Sequence, residues 1–457
     1  VFKTLIFGAI MGFALSKEYK ESYQKTLVLA YPVVLSQLGH IMVGVVDTAM
    51  VGQIGSVPQA AVALANSLYI LVLVFGLGVS YGVTPLVAAA DSRNDYAENA
   101  ALLKHSIIIN TLLGVLLFVG LVFISPVLYL FNQPVAVVEQ AIPFLNVMIL
   151  GMIPLCIFSG FKQFAEGLSD TRVAMFITIG SNLLNVVLNY VLIFGHWGFD
   201  EMGLMGSCWA SFISRVVMAF AMFAYVYYNK RFKVYWQGFS FKNLSGRLTK
   251  EILAIGVPSG LQWLFEVGAF SFAVIMIGWI GAAEQAAHQV ALSLAAVTYM
   301  MSSGVSAAVS VRVGNHLGLK DRQGIRIAGF SAFQIVVVFM GISACCFIAF
   351  RDVLPLLFSK DMAVVELSSV LLIVAAFFQL SDGIQVVGLG ALRGMKDVKI
   401  PTIITFIAYW GVGLPMSYVF AFIWGYGVQG VWYGLSIGLT ITAVFLFWRF
   451  NYVSKRV

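Results

Sequence analysis

Of the 457 residues, 60% are hydrophobic and only 10% charged, with a mean hydropathy of +0.94; soluble domains carry roughly 25% charged residues, so a soluble globular protein is excluded. The apolar runs are too long and continuous for the short alternating strands of an outer-membrane barrel. The net charge of +7 is a topology signal, and it gives no reason to expect a nucleic-acid partner.

Residues 1–25 begin VFKTLIFGAIMGFALSKEYK. Their apolar core of about a dozen residues is shorter than the roughly 20 that a bilayer-spanning helix needs, so the segment reads as a leader or surface helix. Twelve apolar spans follow, near 27–51, 60–88, 103–124, 141–161, 173–195, 203–228, 252–280, 286–314, 328–349, 364–391, 400–424 and 430–448. An all-α integral membrane protein follows, with residues 26–228 as an N-lobe, 229–251 as a basic linker and 252–457 as a C-lobe.

Alternate loops hold the basic residues: Arg93 and Lys104, Lys162 and Arg172, the run from Lys230 to Lys250, Lys320, Arg322 and Arg326, Arg393, Lys396 and Lys399, and Arg449, Lys455 and Arg456. The opposite set holds only Arg351 and Lys360. Basic residues stay on the cytoplasmic side, so both termini are expected inside an inner or plasma membrane, with anionic lipid headgroups as partners. Cys156, Cys208, Cys345 and Cys346 all fall in apolar spans without a CxxC pair and read as packing residues.

The two halves are repeats. The segment PVVLSQLGHIMVGVVDTAMVGQIGSVPQAAVALANSL, from Pro32, aligns without a gap on PSGLQWLFEVGAFSFAVIMIGWIGAAEQAAHQVALSL, from Pro258. Gly52 matches Gly278, Gln59 matches Gln285, and Gly78, Val79 and Ser80 match Gly304, Val305 and Ser306. One residue later in register, the turn EGLSD at Glu166 matches RGMKD at Arg393, and Asp170 matches Asp397. A unit of six spans enters the membrane from the same side both times, giving two pseudo-symmetric six-helix lobes in parallel, the layout of a rocking transporter.

Three carboxylates fall deep inside spans: Asp47, Glu266 and Asp382. Each is a candidate functional group because burying it is costly. Glu266 and Asp382 lie on the first and fourth helices of the C-lobe. Two close carboxylates in low dielectric do not both stay ionised cheaply, so the pair either carries a proton or holds a hard cation such as sodium between its oxygens. Gln385 and Gln379, about one turn to either side of Asp382, are candidate neutral ligands. Asp47 has Asn185 and Asn189 as candidate partners, and Arg215 either pairs with one of the carboxylates or reaches a polar cavity. His40, two turns before Asp47, holds the register position of Glu266. It could join a proton relay, though a lone helical histidine is more commonly a packing residue. Trp263, Phe265 and Phe378, with His40, are candidate cavity walls, the aromatics offering cation–π contacts. Pro32, Pro154, Pro258, Pro401 and Pro415 mark positions where helices can kink. GLGALRG lacks a strand before it, and AAHQV and GNHLG are not zinc motifs.

VDTAMVG in the first span, NVVLNYVLIFG in the fifth, GVPSGLQWLFE in the seventh and SDGIQVVGLGALRGMKD at the tenth together resemble the multidrug and toxic compound extrusion family, NorM-like branch, over roughly residues 26–448. The resemblance implies efflux of drug-like, often cationic compounds in exchange for Na+ or H+, with no cofactor and no covalent chemistry, by a chain acting as a monomer. Sodium-using members that it resembles tend to have a tyrosine one turn before the aspartate, where this chain has Phe378. Three rival readings remain. A lipid-linked saccharide flippase would more often have extra spans and a basic cavity. An intramembrane aspartyl protease would use Asp47 and Asp382, but neither sits in a GxGD motif. A gated channel would leave the two lobes unexplained.

Overall fold

The computed structural model describes residues 17–131, 134–237 and 244–456. Among them twelve helices are long and apolar enough to cross a membrane: α1 (Lys17–Gly52), α2 (Val57–Ser92), α3 (Tyr96–Leu130), α4 (Val135–Gly167), α5 (Arg172–Phe194), α6 (Leu204–Tyr228), α7 (Gly246–Gly278), α8 (Ala282–Gly318), α9 (Arg322–Ala349), α10 (Met362–Gly394), α11 (Lys399–Ile423) and α12 (Gly427–Val453). The expected surface segment 1–25 is corrected in part. Residues 17–25 are the first turns of α1, because Ser22 and Thr26 are buried and satisfied there; residues 1–16 lie outside the described residues.

Within the first six helices α1 packs on α5, α2 on α4, α3 on α4, α4 on α6 and α5 on α6. The last six repeat the same pairings: α7 on α11, α8 on α10, α9 on α10, α10 on α12 and α11 on α12. Local turns repeat as well. Asn94 and Lys320 take φ of 56° and 55° at equivalent positions, as do Ser169 and Lys396 at 63° and 62°. The shared turn aspartates each tie down the last helix of their lobe, Asp170 accepting from the Tyr225 hydroxyl at 2.7 Å and Asp397 from Arg449 Nε at 2.8 Å.

The lobes meet through α1 and α2 on one side and α7 and α8 on the other. Two G-x-x-x-G runs cross there, Gly78 to Gly82 on α2 and Gly256 to Gly260 on α7, a motif that lets helix backbones approach closely. A Cβ on Gly78 would lie 2.5 Å from Gly260 Cα, and one on Gly82 would lie 2.5 Å from Ile252 O. The repeat builds the contact a second time, with Gly304 of α8 against Ala30 and Val34 of α1, the register mates of Gly256 and Gly260. Gly314 faces Ala88, its own register mate, which places the pseudo-two-fold axis between α2 and α8. Arg312 closes the seam from α8, donating through Nη1 to Ser22 O (2.9 Å), Ser22 Oγ (2.7 Å) and Thr26 Oγ1 (2.6 Å). All these residues lie in the half of the bundle nearer the basic loops.

Proline breaks helices selectively. Pro32 and Pro258 sit inside continuous helices. The break at Gly151 precedes Pro154, whose missing N–H leaves the carbonyl four residues earlier unpaired. In α11, π-helical turns Ile407–Gly413 and Val419–Ile423 flank Pro415, and Pro401 sits in the first turn, where proline is tolerated.

Two further sequence expectations are corrected. Lys162 and Arg393, taken as loop charges, are inside α4 and α10 and are buried, because both helices continue beyond their apolar runs. Cys156 and Cys208 are buried, but Cys345 and Cys346 are exposed on the outside of the bundle, so the latter two are not packing residues.

Candidate functional sites in the two lobes

The C-lobe carboxylates are buried together. Glu266 on α7 is 7% exposed and Asp382 on α10 is 5% exposed, and the charge of Asp382 reaches Glu266. Gln385 links the site to α11: its Nε2 donates to Glu266 Oε2 at 3.2 Å, while its Oε1 accepts from the Tyr409 hydroxyl at 2.9 Å. Among the described residues neither carboxylate forms an ion pair. Tyr409 belongs to the π-helical turn of α11. No apolar periodicity signals that geometry, so the sequence did not reveal its role. Gln379 is buried with both amide atoms unpartnered and makes no hydrogen bond to the pair. Phe378 is packed in the lobe core between Phe270 and Trp432. Phe265 packs against Phe406 with the rings tilted at 54°, and its carbonyl accepts from Trp410 Nε1 at 3.0 Å. These two aromatics do not line the large cavity, contrary to the sequence reading, because the helix turns them into neighbouring packing.

That cavity, of about 440 Å³, lies chiefly in the N-lobe, within the 300–1,000 Å³ range common for ligand sites. It runs along α2 from Val62 to Tyr81, a descent of roughly 28 Å at the helical rise. Asp47 is on its wall, accepting from Asn189 Nδ2 and, at 3.5 Å, from the Ser211 hydroxyl. Asn189 also donates to Asn185 Oδ1 (3.1 Å), and Asn185 donates to Ser211 Oγ (3.2 Å), so the four groups form one network. His40 is exposed to the cavity, and the packing reading does not hold for it. Arg215 also faces the cavity, donating from Nη1 to Met148 O at 3.2 Å and lying 5.4 Å from the Tyr69 ring centre. Lys162 lines the floor, 3.7 Å from Glu166 Oε1. The wall is thus of mixed charge.

Trp263 belongs to both sites. It lines the cavity and also a narrow crevice shared by Tyr81, Glu266, Tyr299, Ser303 and Arg393. Tyr81 packs on the Trp263 ring at 5.7 Å, with the Arg393 guanidinium 4.7 Å from its centre. Sequence reasoning missed Tyr81, Tyr299 and Arg393. The G-x-x-x-G run around Tyr81 was the available signal.

The MatE family profile matches residues 32–191 and again 258–419, starting at the two prolines that open the repeat. The chain is similar to the probable multidrug resistance protein NorM of Xanthomonas campestris pv. campestris, at 33% identity over 435 residues covering 94% of each. It is also similar to the multidrug resistance protein NorM of Photobacterium profundum, at 30% over 440 residues, covering 95% of this chain and 96% of that one. Among solved structures it resembles the eukaryotic MATE transporter AtDTX14, with a TM-score of 0.86 at 20% identity over 96% of this chain and 99% of that one. A multidrug resistance MATE family transporter of the MOP superfamily in its outward-facing conformation also matches, with a TM-score of 0.86 at 20% identity over 95% and 96%. By the doubled profile match and by relatives spanning nearly its whole length, this twelve-helix membrane chain belongs to the MatE family.

Proposed function

We propose that this multi-pass membrane protein is a NorM-like multidrug efflux transporter, and that it works as a secondary antiporter, exporting drug-like and often cationic compounds in exchange for a monovalent cation. The observation that carries the coupling is the C-lobe pair. Glu266 and Asp382 are buried beside Gln385 and Tyr409, with no ion pair among the described residues to compensate them. Such a site favours a visiting cation, which offsets the cost of desolvated carboxylate charge. Among the described residues no three His, Cys, Asp or Glu side chains cluster as a metal site. A two-carboxylate oxygen set suits a proton or a sodium ion better than a divalent metal.

Substrate occupies the N-lobe cavity. With the basic loops facing the cytoplasm, the glycine-lined seam is the inner seal and the cavity opens outward. Both termini then lie inside, and anionic lipid headgroups meet the basic loops. Each ligand shifts the equilibrium between the two openings by its differential affinity for them, and the crevice from Glu266 to Tyr81 gives occupancy of one site a route to the other. Cavity, pair and seam all lie within one chain, which supports a monomer. Asp47 and Asp382 sit in separate networks of separate lobes, which argues against a protease dyad.

Proteoliposomes preloaded with a fluorescent cation and placed under an imposed sodium or proton gradient test the reading. Glu266→Gln and Asp382→Asn are each expected to abolish gradient-driven export while eluting as folded protein. Driven export at wild-type rates by both variants overturns it.

A further inference from the structure

Arg393 on α10 is a buried cation without a counter-ion. It is 4% exposed, its Nε has no hydrogen-bond partner, and it forms no ion pair among the described residues. Its guanidinium lies 4.7 Å from the centre of the Tyr81 ring, a contact that offsets only part of the cost of taking such a charge out of water. The repeat shows what is missing. Arg393 is the register mate of Glu166, and Glu166 has a buried ion-pair partner one turn earlier, Lys162 at 3.7 Å. The matching position before Arg393 holds Leu389. One lobe closes its charge internally, and the other does not.

Arg393 and Leu389 both line the crevice that also holds Trp263, Tyr299 and Ser303. The space there is about 10 Å³, enough for a single water-sized guest and too little for a carboxylate or a phosphate. Ser303 Oγ accepts from Gln37 Nε2 at 3.5 Å, which leaves its own proton free to donate. Tyr81 of α2 walls the crevice from the N-lobe, while α7, α8 and α10 supply the rest. Two acids are near. Glu166 reaches Tyr81 together with Lys162, and their charges offset each other. Glu266 lines the crevice, but its partner Gln385 lies eight residues before Arg393, about 12 Å along α10. An anion about 4 Å from the guanidinium is attracted roughly three times as strongly as a carboxylate about 12 Å away repels it.

We propose that this crevice binds a monatomic anion, chloride under physiological conditions, between Arg393 and the Ser303 hydroxyl. The ion takes the place of the counter-ion that the duplicated turn lacks. Because Tyr81 comes from one lobe and Arg393 from the other, the anion is seated at the interface of the lobes.

The test uses the full chain in lipid nanodiscs, with sodium gluconate replaced stepwise by sodium bromide or sodium chloride at constant ionic strength, so that the cation is unchanged. Trp263 reports occupancy, because bromide in the crevice quenches a ring that lines it, and the difference from Trp263→Phe isolates its emission. Quenching by bromide is expected to saturate and to be relieved by chloride, and either halide is expected to raise the melting temperature. Sulfate should do neither. Arg393→Gln removes a cation that has no ion-pair partner, so it strands no acid, and it should abolish the saturable quench. Leu389→Glu sets a carboxylate one turn before Arg393, as Lys162 stands before Glu166, and helical pairs at this spacing attract. With its counter-ion supplied from within, this variant should lose the halide dependence of both signals. Linear quenching of equal slope in wild type and both variants, or a sulfate effect equal to that of chloride, overturns the proposal. Neither readout involves an ion gradient or an exported compound, so a failure here leaves the antiport reading standing, and a failure of antiport leaves this site standing.

Discussion

Replacing Gly78 by alanine adds one methyl group where α2 crosses α7. Its Cβ would lie 2.5 Å from Gly260 Cα, 2.9 Å from Gly260 N and 3.0 Å from Ser259 O. All three are backbone atoms and cannot rotate away, so α2 and α7 must separate by about 1 Å to restore ordinary contact. Overpacking of this kind costs roughly 1–3 kcal/mol, and the cost falls only on the conformation in which this seam is closed. The ratio of closed to open seams should therefore drop by roughly 5- to 150-fold. The gain in helix propensity from glycine to alanine, about 1 kcal/mol, acts on both conformations alike. The assay is a distance distribution between spin labels at Ala97 on the N-lobe and Arg322 on the C-lobe, both exposed beside the seam, with the four native cysteines replaced. The alanine variant should show a growing population at longer distance. An unchanged distribution from a well-folded variant would mean that the glycine crossing does not hold the seal, and the assignment of this seam as a gate would fall.

Tyr409→Phe removes the hydroxyl that donates to Gln385 Oε1 at 2.9 Å and leaves that amide oxygen buried. A loss of roughly 1–3 kcal/mol should raise the ion concentration for half-maximal export by roughly 5- to 150-fold, with dye binding in the N-lobe cavity retained; an unchanged ion dependence would place Tyr409 outside the coupling site. Asp321 caps α9, accepting from Gly324 N at 2.9 Å, so Asp321→Ala should cost about 1 kcal/mol of stability. The Gly324 amide, with help from His316, holds this carboxyl below the usual range. Its contribution is therefore present above the ordinary carboxylate value of about 4 and is lost as pH falls through the depressed one. Thermal melts of the two proteins should differ at neutral pH and converge on acidification.

The spans, the duplication and the membrane class were legible because each rests on a long pattern: runs of about 20 apolar residues, and prolines, glycines and turn aspartates repeated at a fixed offset. Glu266, Asp382 and Asp47 were legible for a related reason, since a carboxylate in an apolar run stands out. The charges at span ends were not. Counting basic residues by loop assumes that a helix stops with its apolar run, yet α4 continues to Gly167 and α10 to Gly394. Lys162 and Arg393 are thereby carried into the protein, where one meets a cavity and the other the Tyr81 ring. Phe265 and Phe378 show the opposite limit. Their residue type suited a cavity wall, but helical phase relative to neighbours decides orientation, and that is a tertiary property.

The repeat divides into parts that stayed equivalent and parts that did not. The seam is built twice from register mates, Gly78 on Gly260 and Gly304 on Val34, as the proposed rocking of two lobes requires if both sides of the axis are to permit the same close approach. The chemistry is not doubled. One register position holds His40, open to a roomy cavity, and Glu266, buried beside a second carboxylate. A cavity able to accept varied bodies has to be wide and partly polar, whereas a site that makes a small cation worth binding has to be narrow and dry, since electrostatic attraction strengthens as water is excluded. No single pocket meets both demands. On the proposed function, a duplicated fold lets each lobe take one of them, with Tyr81 and Trp263 packed together in the crevice that reaches Glu266.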